Sequence, residues 1–184
     1  MSAPVRHTLP TWPIWLLLTL AVLVVLRSGG VSPRSPSVDL PPSNQVVQVR
    51  RAVDGDTLLL ESGQRIRLIG VDTPETRHPD RPAEPWGAEA SAFTAAKVAR
   101  GEVRLQYDRE RLDPYRRILA YVYVDGELLN EELIRAGLSP AVTSFPFRSD
   151  LQRRFRNAEQ EARSAQRGIW SVTSETPAAA GQSH

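Results

Sequence analysis

The sequence predicts an α+β fold built around a small, partly open Greek-key barrel of the OB type, with five strands and three helices. Three consecutive segments have the short apolar pattern of strands and are joined by tight turns, which indicates an antiparallel meander. A helical segment separates this meander from two further strands, and two helices follow. This order is typical of the OB architecture. The predicted strands are 45–53, 54–61, 63–71, 102–108 and 116–126, and the predicted helices are 85–101, 131–136 and 149–167.

The meander is predicted from its alternation and its turns. Segment 45–53 alternates polar and apolar residues, as a strand with one buried face does. Asp54-Gly55 is a hairpin signal that leads into the second strand. Ser62-Gly63 forms the turn before the third strand, which ends with the apolar residues Leu68, Ile69 and Val71. These short connections indicate that neighbouring segments pair with each other.

The helices are predicted from their boundary residues and their apolar faces. Pro85 lies in the first turn of helix 85–101, and Gly101 follows its end. Asn130 is expected to cap the short helix 131–136. In the last helix, apolar side chains repeat at helical spacing and form one stripe. The stripe comprises Leu151, Phe155, Ala158, Ala162 and Ala165.

Composition divides the chain into four parts. Residues 1–27 form an N-terminal apolar helix that is an anchor or a signal segment, and residues 28–44 form a linker rich in proline and serine. The folded domain is expected to cover 45–170. Residues 171–184 have no periodicity and are expected to be a disordered tail.

The N-terminal segment is uncharged from Thr8 to Leu26. Such a run is about long enough to cross a bilayer, which needs roughly 20 residues. A transmembrane anchor and a cleaved signal peptide both remain open. Arg27 directly follows the apolar run and no A-x-A pattern is present, which favours the anchor. Its orientation stays open because Arg6 precedes the run.

Charge and cysteine content limit the possible functions. The 184 residues contain 23 Lys and Arg against 21 Asp and Glu, a net charge of +2, so charge alone does not indicate a nucleic-acid partner. The chain has no cysteine, which excludes disulfides and thiolate metal sites. Its length fits one domain with a hydrophobic core.

Acidic residues stand at two neighbouring strand ends of the predicted meander. Asp56 opens the second strand, and Asp72 and Thr73 directly follow the third. Carboxylates so close together repel each other unless positive charge lies between them. Calcium binds carboxylate and carbonyl oxygens. Asp56, Asp72 and the carbonyl of Thr73 therefore predict a divalent-cation site with a phosphate beside it.

Arg67 reaches this site only if the third strand bends. Strict alternation places Arg67 and Asp72 on opposite faces of the strand. Gly70 lies between them and is the residue that permits a bend or bulge. Without a bend, Arg67 is an ordinary surface arginine, which is the alternative interpretation.

The motifs and their order resemble the staphylococcal nuclease family. The matching segments are VDGDT (53–57), RLIGVDTPETRHP (67–79), WGAEASAFT (86–94), LAYVYVDGELLNEELIRAGL (119–138) and GIW (168–170). They span essentially all of the folded domain, and the combination of DGDT with R-x4-DTPET is specific. The resemblance implies an OB barrel with three helices. It also implies calcium-dependent hydrolysis of DNA and RNA that leaves 3′-phosphate ends.

The resemblance further implies roles for the acidic residues. Asp56 and Asp72 match the calcium carboxylates, and Thr73 matches the ligand that binds through its carbonyl. Glu75 matches the acid that activates or orients the attacking water. Phosphoryl transfer requires charge neutralisation and a positioned nucleophile, and this set of residues supplies both.

Arg67 and Arg117 match the two arginines that clamp the phosphate. The segment ILAY (118–121) fixes the register at Arg117, and the alternative for this residue is a surface ion pair with Asp113. Tyr115 matches a tyrosine that contacts the terminal phosphate of the nucleotide.

The substrate pocket departs from the family pattern. Pro114 replaces a phosphate-binding lysine, and Arg116 replaces a glycine. Thr143 and Phe145 stand where the family has two tyrosines. Phe145 can stack on a base, whereas Thr143 cannot.

A metal-dependent nuclease is the favoured function. The alternatives are a non-catalytic OB-fold module that binds nucleic acid or protein, and a membrane-tethered interaction domain. A degenerate copy is expected to lose at least one catalytic charge, and none is lost. The expected partners are DNA and RNA, with single strands preferred, and the membrane. The expected state is a monomer anchored outside the cytoplasm, or secreted if the N-terminal segment is cleaved.

Overall fold

The structure is a computed structural model that describes residues 39–76 and 82–171. Within these residues the chain forms six strands and three α-helices. The strands are β1 (Val46–Ala52), β2 (Thr57–Leu60), β3 (Arg65–Leu68), β4 (Glu102–Gln106), β5 (Ile118–Val124) and β6 (Glu127–Leu128). The helices are α1 (Gly87–Lys97), α2 (Leu129–Arg135) and α3 (Ser149–Ser164), and a 3-10 turn follows at Gly168–Trp170.

Five strands form a closed barrel. Antiparallel pairing joins β3 to β2, β2 to β1, β1 to β4, and β4 to β5. Parallel pairing of β3 with β5, from Ile66–Ile118 to Leu68–Ala120, then joins the two ends of the sheet. The OB-type prediction is confirmed, with the correction that the barrel is closed and not partly open. The short strand β6 adds to β5 and was not predicted, because two residues carry no periodicity.

Apolar side chains from the strands fill the barrel, and α3 packs beside α2. The fully buried strand residues include Leu58, Leu60, Ile66, Leu68, Leu105, Ile118, Ala120 and Val122. Four of the five residues in the predicted stripe of α3 are buried, namely Leu151, Phe155, Ala158 and Ala162. Ala165 is exposed, because the helix ends at Ser164 and not at 167.

The predicted capping role of Asn130 is wrong. Helix α2 begins at Leu129, and Asn130 lies within it with its side chain fully buried. The amide oxygen of Asn130 accepts the Val122 N–H (2.9 Å), and its NH₂ group donates to the carbonyls of Ile69 (2.9 Å) and Ala120 (3.3 Å). This side chain satisfies buried backbone groups of two other segments, which a capping residue cannot do. It thereby holds the chain where it leaves β3.

Helix α1 begins two residues later than predicted and ends at Lys97. Trp86 precedes it with a φ of 71°, so Pro85 lies before the helix and not in its first turn. The hydroxyl of Thr94 on α1 donates to the carbonyl of Gly55 (2.6 Å) in a fully buried contact. Helix α1 therefore supports the turn that precedes β2.

The chain contacts the barrel before β1 begins. The carbonyl of Pro41 accepts a hydrogen bond from the Tyr107 hydroxyl (2.8 Å), and the Asn44 side chain accepts one from Arg104 (2.8 Å). The predicted N-terminal anchor, most of the linker and nearly all of the predicted tail lie outside the described residues. In segments 39–76 and 82–171, no helix has the length and apolar character needed to cross a membrane.

Candidate active site

The chain bends directly after β3, at Gly70. Its φ is +75°, and a Cβ atom there would lie 2.7 Å from the Phe155 ring, so both the backbone and the packing require glycine. The bend brings the Arg67 guanidinium to the Asp72 carboxylate, with Nη2 2.8 Å from Oδ1. The bend that allows Arg67 and Asp72 to meet is therefore present.

Asp56 is the buried acid of the site, with 7% of its surface exposed. Its Oδ2 accepts hydrogen bonds from the backbone N–H (3.0 Å) and the hydroxyl (3.3 Å) of Thr73. Its Oδ1 accepts one from the Thr57 hydroxyl (3.0 Å). A buried carboxylate is stable only when it is hydrogen-bonded and paired with positive charge. These contacts fix the carboxylate between β2 and the segment that follows β3.

Arg67 supplies the positive charge between the two carboxylates. Its Nη1 lies 3.2 Å from Asp56 Oδ2, while its Nη2 contacts Asp72. Nη1 also donates to the carbonyl of Val71 (2.5 Å), so the guanidinium is held by backbone as well as by charge. The interpretation of Arg67 as an ordinary surface residue is wrong. Asp72 remains 68% exposed at its side chain and is the accessible acid of the pair.

Asp54 belongs to the site, although the sequence analysis predicts it only as part of a turn. It lines the same recess, and its Oδ1 accepts a hydrogen bond from the Asp56 N–H (3.2 Å). Burial, together with the neighbouring Asp56 carboxylate, raises the pKa of Asp54 to about 6. The signal that could have revealed it is the D-x-D spacing, which places a second acid beside Asp56. Burial is the larger of the two causes, so the shift reflects a carboxyl group withdrawn from water beside a second carboxylate.

Most of the predicted site residues line one recess of about 120 Å³. Its lining residues are Asp54, Asp56, Arg67, Asp72, Thr73, Pro74, Glu75 and Arg117. The closed barrel brings β2, the segment after β3 and the start of β5 to this place. Arg67 and Arg117 face the recess together with its acids, so both signs of charge meet there.

Arg117 enters the recess while it is paired with Asp113. Its Nε lies 2.6 Å from Asp113 Oδ2, and Asp113 Oδ1 accepts the backbone N–H groups of Tyr115 (2.9 Å) and Arg117 (2.8 Å). The ion pair that was the alternative interpretation therefore exists, and it orients Arg117 at the recess. Arg116 has a φ of 65° and is not among the lining residues.

The two predicted substrate-binding aromatics lie outside the recess. Tyr115 is 82% exposed, and the Arg117 guanidinium lies 5.7 Å from its ring centre. Phe145 is 46% exposed, and its ring centre lies 6.3 Å from that of Phe147. Both rings are exposed to solvent.

The donor atoms of the recess fit a hard cation. The carboxylates of Asp56 and Asp72 and the carbonyl of Thr73 offer only oxygen, which calcium and magnesium prefer and zinc and copper do not. In the part of the chain that the structure describes, no three histidine, cysteine, aspartate or glutamate side chains converge to hold a metal ion. A cation here would therefore need carbonyl oxygen and water as well as the two carboxylates.

Comparison with known proteins agrees with this geometry. The sequence model of the family described as "Staphylococcal nuclease homologue" matches residues 65–172. A thermonuclease of Staphylococcus hyicus is 38% identical over 162 residues, which cover 85% of this chain and 95% of that protein. A thermonuclease of Staphylococcus intermedius is 37% identical over 161 residues (84% and 94%), and endonuclease YncB of Bacillus subtilis (strain 168) is 39% identical over 129 residues (68% and 61%). The chain belongs to the staphylococcal nuclease family.

Proposed function

We propose that this protein is a calcium-dependent nuclease that hydrolyses phosphodiester bonds of DNA and RNA and leaves 3′-phosphate ends. The observation that carries this proposal is the recess in which two arginines, the buried Asp56, the exposed Asp72 and Glu75 come together. The thermonuclease and endonuclease relatives support nuclease activity. A non-catalytic OB-fold binding module is the alternative, and it does not explain why all of these charges meet at one place.

Arg67 and Arg117 are proposed to bind the phosphate that is attacked. Guanidinium groups bind phosphate oxygens through two parallel hydrogen bonds and stabilise the charge of the transition state. Arg117 uses its Nε to pair with Asp113. This leaves its two terminal nitrogens to donate to phosphate, while the pairing keeps the side chain in one orientation.

Asp56, Asp72 and the carbonyl of Thr73 would hold calcium. When bound, the cation supplies positive charge that neutralises non-bridging phosphate oxygens. Asp56 is fixed by Thr73 and Thr57, whereas Asp72 is exposed and able to adjust. One fixed and one adjustable ligand suit calcium, which tolerates irregular geometry, better than magnesium, which demands a near-ideal octahedron.

Glu75 is proposed to act as the general base. It lines the recess next to the proposed metal ligands and is exposed enough to reach a water molecule. A carboxylate can accept a proton from the water as it attacks phosphorus, and the resulting hydroxide character increases its nucleophilicity. Because the proposed product ends are 3′-phosphates, attack breaks the bond between phosphorus and the 5′ oxygen, which leaves and takes up a proton from solvent. Arg67 and Arg117 line the same recess and would stabilise the negative charge that develops on the phosphate oxygens.

The accessible rings of Tyr115 and Phe145 favour single-stranded substrate, because bases that are not in a duplex can stack on them. We further propose that the protein acts as a monomer, since all of the proposed catalytic residues lie in one chain. The apolar N-terminal segment supports anchoring outside the cytoplasm, or secretion if it is cleaved.

Replacing Glu75 by glutamine is expected to remove the base without changing size. We expect the rate of cleavage to fall by about 10²–10⁴-fold, the usual contribution of acid–base catalysis. Nucleotide binding and the melting temperature are expected to stay near the wild-type values. The measurement is the calcium-dependent cleavage rate of labelled single-stranded DNA, with Glu61→Gln as the control. A Glu75→Gln rate close to wild type would exclude Glu75 as the base.

The tandem arginines provide an internal comparison. Arg117→Ala and Arg67→Ala are expected to lower the cleavage rate strongly, because each removes a phosphate-binding guanidinium from the recess. Arg116→Ala is expected to have a mild effect, since Arg116 does not line the recess. Steady-state rates of the three variants test this order. A larger loss for Arg116→Ala than for Arg117→Ala would show that the register is wrong by one residue.

Metal dependence tests the proposed ligand set. We expect cleavage with calcium, much less with magnesium, and none with a chelator. Asp56→Ala is expected to weaken calcium binding and activity together, because Asp72 alone is a poor site. The measurement is a calcium titration of activity for wild type and Asp56→Ala, with Asp125→Asn as a control outside the recess. Equal activity in chelator would contradict a metal-dependent reaction.

A further inference from the structure

Glu75 lines the recess, and its backbone N–H and carbonyl are both hydrogen-bonded. Across residues 39–76 and 82–171, the Glu75 carboxylate makes no hydrogen bond or ion pair with another residue. The place of the carboxylate then depends on how the backbone of Glu75 is held.

Glu84 holds the Glu75 backbone on both sides. The Glu84 carboxylate oxygen Oε2 accepts a hydrogen bond from the Glu75 N–H (3.0 Å). The Glu84 N–H donates to the Glu75 carbonyl (2.9 Å). Both polar backbone groups of Glu75 are therefore bonded to one residue that lies nine positions later in the chain.

Glu84 is itself fixed at the start of α1. Its carbonyl accepts the N–H of Gly87 (3.1 Å). It also precedes Pro85, which restricts its backbone to extended conformations. A Cβ atom at Gly87 would lie 2.9 Å from the carbonyl oxygens of both Pro74 and Glu75, so the first residue of α1 packs directly against the segment that carries Glu75.

The geometry points to Glu84 as a positioning residue for Glu75, an inference that rests on the proposed nuclease function. Glu84 does not line the recess, so it acts through Glu75 and not on the substrate. Its carboxylate fixes the amide of Glu75 and, with it, the reach of the Glu75 side chain toward the attacking water. Misplacing a reacting group by about 1 Å can lower a rate by about 10²-fold. Glu84 connects α1, which also supports the turn before β2, to the base.

Two substitutions at Glu84 separate its hydrogen bond from its charge. In the full-length protein with calcium, Glu84→Ala is expected to lower kcat by about tenfold or more with KM nearly unchanged. Glu84→Gln is expected to retain most of the activity, because its amide oxygen accepts the same N–H bond. Glu61→Ala is the control, an exposed glutamate after β2 outside the recess. Wild-type kcat in Glu84→Ala, or equal loss in both Glu84 variants, would overturn the inference.

A double mutant tests whether Glu84 acts through Glu75. In the Glu75→Gln background, Glu84→Ala is expected to cause no further loss of kcat, because the group that it positions is already absent. If the fold loss of kcat in the double mutant equals the product of the two single-mutant losses, Glu84 acts independently of Glu75, and the inference is overturned.

Amide hydrogen exchange tests the same contact without any activity. The Glu75 N–H is expected to be protected in wild type and Glu84→Gln and to exchange faster in Glu84→Ala, while the melting temperature stays similar. Equal exchange in all three proteins would overturn the positioning role. If wild type fails to cleave nucleic acid, the proposed function fails, and the exchange result still decides whether Glu84 holds Glu75.

Discussion

The ion pairs of Arg67 with Asp56 and Asp72 are the interaction on which the rest of the site depends. The two acids belong to different strand ends, and their carboxylates would repel each other without positive charge between them. Arg67 lies within 3.2 Å of both. Four carboxylates and two guanidiniums line the recess, so acidic side chains outnumber basic ones there. An excess of acids would favour binding of a cation, and a cation together with the two arginines would then favour binding of phosphate.

The barrel and its helices provide the positions that this charge arrangement needs. Asn130 ties the end of β3 to β5, and the bend at Gly70 then turns the chain so that Asp72 meets Arg67. Helix α1 supports the turn that carries Asp56 and, through Glu84, the backbone of Glu75. Most of the recess residues therefore lie on loops, with Arg67 on β3, and buried contacts of the strands and helices set their separations.

The sequence predicts those features that depend on neighbouring residues. Alternation predicts the strands of the meander, and the opposite faces of Arg67 and Asp72 predict the bend at Gly70. Features that depend on distant partners were missed or misread. Asn130 has the residue type of a helix cap, but it bonds Ile69, which is 61 positions away. Asp54 has the residue type of a turn, and it becomes a site residue only because Arg67 and Arg117 complete the recess around it. Barrel closure likewise depends on a parallel pairing of β3 with β5 that no local pattern encodes.

Calcium affinity in the absence of nucleic acid tests most directly whether Arg67 is the counter-ion of Asp56 and Asp72. If Arg67 is the counter-ion that shares Asp56 and Asp72 with the metal, its removal leaves both carboxylates free and raises the local negative potential. Isothermal titration calorimetry is then expected to show calcium binding that is about tenfold tighter, or more, in Arg67→Gln than in wild type, although the variant cleaves poorly. Weaker calcium binding in Arg67→Gln would contradict this, because it would show that Arg67 is needed to assemble the carboxylates and does not compete for them.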